Sequence, residues 1–151
     1  MQELISVCLR VGRLMLQSGA ETYRVEETME RVARACGAWE VVSFVTPTGI
    51  FLTLNGQTQI ARVTYRTIDL EKVAEINRCS RLLEEGKLSL TELKGRLDGL
   101  ERKGFAYPAL WVHAAGGGTS AFFTLLFGGS WGDFLPVFAA GVLVNLSFVT
   151  L

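Results

Sequence analysis

The sequence predicts an α+β domain over residues 1–103 followed by a transmembrane α-helical hairpin over residues 104–151. Three observations predict it. All fifteen Lys and Arg residues, and all but one of the fifteen Asp and Glu, lie at or before Lys103. Helical periodicity fills both ends of that charged part, with β-branched and aromatic residues between them. Beyond it come two uncharged apolar runs, Ala106–Phe127 and Phe134–Leu151.

Residues 3–17 read as an amphipathic helix, with Leu4, Cys8, Val11 and Met15 on one face. Ser18-Gly19 interrupts it, and a second helix is expected from Ala20 to Cys36, where Val25, Met29, Val32 and Cys36 share a face. The pairs Glu27–Arg31 and Glu30–Arg34 have the acid-before-base i, i+4 spacing, and Gly37 supplies a stop. Trp39–Thr46, Gly49–Leu54 and Gln57–Tyr65 read as three antiparallel strands, the last two joined by Asn55-Gly56, a strong hairpin signal. Their alternation is imperfect and does not single out a buried face. Asp69 is a suitable N-cap for a helix from Leu70 to Glu85. Ser89 and Glu92 make a capping box for a last helix to Arg102, striped with Leu90, Leu93, Leu97 and Leu100.

The apolar runs carry the membrane expectation. Ala106–Phe127 at about 1.5 Å per residue matches a hydrocarbon core of roughly 30 Å. Arg102 and Lys103 flank it, whereas the loop Gly128–Asp133 has no basic residue, so the first domain is expected in the cytoplasm. The second run stops with the chain, which reads as a span cut short. Met1–Gln17 contains Glu3, Arg10 and Arg13, which break any signal-peptide apolar segment. Cys8, Cys36 and Cys79 are odd in number and lack a CxxC pair, as expected for reduced thiols.

Function classes narrow from the same residues. Charge balance in the first domain excludes a nucleic-acid binder, which needs a basic excess. The chain's one histidine, His113, lies outside that domain, and no GxSxG elbow, P-loop or metal-ligand spacing occurs. No catalytic residue, metal or cofactor is therefore expected. The Ser18–Glu21 turn, followed by Arg24, could hold a carboxylate at a helix N-terminus. The packing alternative has Ser18 capping the helix and Arg24 pairing with Glu21. Candidate substrate-binding residues are Ser18, Gly19, Arg24 and Glu26, with His113 and Asn145 in the apolar runs, where polar groups are costly. Gly116-Gly117-Gly118 reads chiefly as a helix-packing face.

Leu14–Gly37, LMLQSGAETYRVEETMERVARACG, resembles the signature segment of the threonine/serine exporter family, which includes the small subunit of a two-subunit succinate exporter. The similarity rests on Ser18, Gly19, Ala20, Thr22, Arg24, Val25, Glu26, Met29, Arg31, Val32 and Gly37. It continues through Thr46–Leu54, Arg62-Val63, Asp69-Leu70, Gly86–Ser89, Phe127–Gly129 and Asp133. The resemblance implies part of an inner-membrane, multi-pass secondary exporter of small carboxylates or hydroxy amino acids, with a cytoplasmic N-terminal domain. Its partners would be the substrate, the lipid bilayer, a second membrane subunit or further spans, and a second copy in a homo-oligomer. The alternative is a membrane-tethered ligand-sensing or assembly domain.

Overall fold

The computed structural model describes residues 2–103 and 107–149, in two compact units, Met1–Gly104 and Phe105–Leu151. The first contains α1 (Gln2–Gln17), α2 (Thr22–Ala35), β1 (Val41–Thr46), β2 (Gly49–Leu54), β3 (Gln57–Arg62), α3 (Leu70–Glu84) and α4 (Leu90–Arg102).

Helix α1 is the centre of this unit. Ile5, Cys8, Val11, Met15 and Leu16 are fully buried, and Leu4, Val7, Leu9 and Leu14 nearly so. A helix apolar on almost every side must be enclosed, and α2, α3, α4, β2 and β3 all pack on it. Burial also pushes the Cys8 thiol up to about 12, so it stays protonated. Gly12 brings α2 close, since a Cβ there would overlap the Met29 sulfur. What remains of α1 is a polar stripe, Glu3, Ser6, Arg10, Arg13 and Gln17. Its first part is held by α4: Lys94 pairs with Glu3, and Arg10 bonds Asp98 at 2.5 Å and both oxygens of Glu101 at 2.8 and 2.5 Å. Leu93 and Leu97 lie fully buried beneath these pairs.

The sheet is antiparallel in the order β1-β2-β3. Asn55 and Gly56 both adopt positive φ, as a type I′ turn requires. Ile50, Leu52 and Leu54 face the core. Phe44, Phe51 and Ile60 lie side by side in the register and are exposed on the other face, together with Val42. β3 ends at Arg62, short of the expected Tyr65, because the following residues leave the sheet to cross the end of α1.

That crossing is a strap, Arg66–Asp69. The Arg66 guanidinium donates to the Leu16 and Ala20 carbonyls at 3.3 Å each, Thr67 N–H to Gln17 O at 2.7 Å, and Asp69 N–H to Ser18 O at 3.0 Å. The carboxylate of Asp69 then caps α3 by accepting from Lys72 N–H at 3.1 Å. The α4 capping box forms as expected.

The second unit contains α5 (Ala109–Leu126) and α6 (Trp131–Val149), packed on each other. Among the described residues no helix is long and apolar enough to cross a membrane, which overturns the expected transmembrane hairpin. The 18 residues of α5 rise only roughly 27 Å. Within them His113, Gly116–Gly118, Thr119, Ser120 and Thr124 dilute the apolar character. In α6, Asp133, Pro136 and Asn145 do the same. With no such helix among the described residues, the charge asymmetry assigns no orientation. Ala106, where the first span was expected to begin, and Leu151, where the second ends, lie outside the described residues.

Gly19 lies under the strap with φ +89°, and a Cβ there would come within 2.9 Å of Thr67 O. Gly19→Ala should cost about 1–3 kcal/mol of unfolding free energy, read from urea denaturation of the full chain.

Candidate functional site

The polar stripe of α1 outruns α4, and where it does so a partly enclosed cleft of about 310 Å³ opens. From α1 and its end come Arg13, Leu14, Gln17 and Ser18; the strap and the residues before it add Tyr65 and Thr67; α3 adds Lys72 and α4 adds Glu101. Ser18 is 3% exposed. Among the described residues, the side chains of Arg13, Gln17, Ser18, Tyr65 and Thr67 have no hydrogen bond or ion pair. Lys72 is half committed, to Asp69 at 3.4 Å. Glu101 is held ionised: hydrogen bonding from Arg10 draws its carboxyl below the usual carboxylate range against the opposing effect of burial, with Arg13 adding to the field. Both signs of charge and several hydroxyls thus meet at one cavity.

The signature residues are distributed differently from their sequence neighbourhood. Ser18 and Gly19 sit at the cleft and under the strap. Ser18 does not cap α2: the N-cap is Glu21, without a side-chain cap bond, and the helix starts at Thr22 rather than Ala20. Arg24 is exposed, 3.9 Å from Glu21 and over the Tyr23 ring at 5.9 Å, and does not line the cleft. Glu26 accepts from Val45 N–H at 2.7 Å, and one turn later Glu30 accepts from Ser43 Oγ at 3.0 Å. These carboxylates tie α2 to the open edge of β1, where an unpaired N–H would otherwise invite another strand. Glu27–Arg31 and Glu30–Arg34 form at 2.6 and 3.8 Å. Reading the sequence by motif missed Arg13, Gln17, Tyr65, Thr67, Lys72 and Glu101. The polar stripe at three- and four-residue spacing could have flagged the first two.

In the second unit, His113 Nδ1 and Asn145 Oδ1 lie 2.7 Å apart, joining α5 to α6 in a half-buried pair. Gly116 receives the Asn145 side chain, and Gly117 packs against Phe138 and Val142. A Cβ on Gly141 would meet Ser120 Oγ at 2.7 Å. Helix α5 is unbroken across its three glycines. The hydroxyls of Thr119, Ser120 and Thr124 bond carbonyls one turn back at 2.8–3.2 Å. Among the described residues, no group of three or more His, Cys, Asp or Glu is placed to hold a metal ion.

A family described as "Putative threonine/serine exporter" (ThrE) matches residues 6–151, and the chain belongs to that family. The resemblance read from Leu14–Gly37 is thereby borne out. A "Probable threonine/serine exporter" of Mycobacterium tuberculosis is 25% identical over 136 residues, which cover 86% of this chain and 26% of that protein. The chain spans about a quarter of that relative's length. No solved structure matches.

Two predictions follow from the side-chain roles. Glu26→Ala should cost about 1.5–3 kcal/mol, by losing a charge-assisted bond to a buried strand N–H, whereas Arg24→Ala should stay within about 0.5 kcal/mol; denaturant midpoints of the two variants separate them. Glu101 binds its proton more weakly folded than unfolded. Its contribution to stability is therefore present above the ordinary carboxylate range and lost as pH falls from there through the lower folded value. Thermal melts at pH 6, 4 and 3 should show a shallower acid loss in Arg10→Gln than in the parent chain.

Proposed function

We propose that the chain is a subunit or segment of an inner-membrane exporter of small hydroxy amino acids, threonine and serine foremost, with succinate-like carboxylates as the secondary class. The family match over residues 6–151, which runs through both compact units, carries this reading. The first unit would work on the cytoplasmic side, consistent with three free cysteines suited to a reducing compartment. The second unit leaves Leu110, Trp111, Phe122, Leu126, Leu135 and Leu143 exposed. Apolar side chains uncovered in this number suit packing against the remainder of an exporter or against a second membrane subunit.

A second reading has one observation in its favour. The polar cleft lies wholly within the first unit, as it would in a ligand-sensing domain attached to a transporter.

Deleting the gene that encodes the chain should lower threonine and serine efflux from peptide-fed cells severalfold and raise their intracellular pools. Radiolabel efflux measures this directly. Unchanged efflux of threonine, serine and succinate alike would overturn the exporter reading.

A further inference from the structure

We propose that the cleft at the end of α1 is a binding site for a zwitterionic hydroxy amino acid. The choice of ligand rests on the exporter reading; the site itself rests on the geometry. A folded domain ordinarily satisfies polar groups that it removes from water. Among the described residues no buried side-chain nitrogen or oxygen lacks a hydrogen-bond partner, so the Ser18 hydroxyl, which bonds to none of them, opens onto the cavity although the residue as a whole is 3% exposed. Half-buried Thr67 and Gln17 and exposed Arg13 line the same cavity, and among the described residues the guanidinium of Arg13 has no acidic partner within salt-bridge distance. The volume, about 310 Å³, lies at the small end of ligand sites.

The charges on the wall select the ligand class. Arg13 has its full donor set available for a carboxylate, and Lys72 keeps ammonium hydrogens beyond its single contact with Asp69. Glu101 stays ionised because Arg10 grips it. A carboxylate offers about four lone-pair positions, and Arg10 uses three contacts across Glu101 and Asp98. Glu101 can therefore still receive an ammonium group. A ligand bearing carboxylate, ammonium and hydroxyl together meets all three kinds of wall group. A dicarboxylate would set one anionic end against Glu101.

Isothermal titration of the purified full chain with L-threonine and L-serine tests this. Saturable one-site binding is expected, with L-threoninol (no carboxylate) and 3-hydroxybutyrate (no ammonium) each weaker by about tenfold or more. Arg13→Gln should weaken threonine binding about tenfold without moving the melting temperature, and Arg24→Gln should bind like the parent chain. The site is overturned by absence of saturable binding, by unchanged affinity in Arg13→Gln, by equal loss in Arg24→Gln, or by succinate binding more tightly than threonine. If the chain shows no binding while gene deletion still abolishes efflux, the cleft fails and the exporter reading stands. If Arg13-dependent binding occurs while deletion leaves efflux unchanged, the site stands and the exporter reading fails.

Discussion

The last carbonyls of α1 are the constraint around which the first unit is built. A helix ends with four carbonyls that lack intrahelical donors, and α1 ends deep inside the domain, so water cannot answer all of them. The turn after α1 answers Leu14, Met15 and Leu16 through the N–H groups of Ser18, Gly19 and Ala20, and the strap Arg66–Asp69 adds two backbone N–H groups on Gln17 and Ser18 and one guanidinium on Leu16 and Ala20. The same four residues pass over Gly19 and start α3 through the Asp69 cap. One short segment thus braces the α1–α2 turn and starts the next helix. Through Thr67 the strap also lines the cleft.

Electrostatics follows from that arrangement. Helix α4 neutralises the first half of the α1 stripe through Glu3, Arg10, Asp98 and Glu101, then ends before Arg13 and Gln17 are covered. The exposed pairs among these contribute little stability individually; the bidentate Arg10–Glu101 contact chiefly fixes where a carboxylate points. On the opposite side of the unit, Glu26 and Glu30 serve the strand edge. Glu26 and Glu30 of the signature segment thus close a sheet edge, whereas Glu101, which faces the cavity, comes from α4.

The second unit depends on the absence of side chains. Gly116, Gly117 and Gly141 let α5 and α6 approach until Asn145, Phe138 and Ser120 fill the space where Cβ atoms would be. Close approach then brings His113 to Asn145. The same small and hydroxylated residues that make this contact interrupt the apolar character of the helices. Hydropathy read over Ala106–Phe127 as one run overestimated the helical length available.

Periodicity and capping chemistry made most of the first unit legible from sequence alone: the helix over residues 3–17, the Asn55-Gly56 hairpin, the Asp69 cap and the Ser89–Glu92 box all depend on neighbours within a few residues. The Leu14–Gly37 segment was equally legible as a family signature. The buried face of the sheet, the late start of α2, the early end of β3 and the membership of the cleft were decided only by tertiary structure. Arg13, Thr67, Lys72 and Glu101 are far apart in the chain and carry no common motif. They meet because a distant strap crosses the end of one enclosed helix and bonds the carbonyls its own turn leaves open, a placement no local pattern encodes.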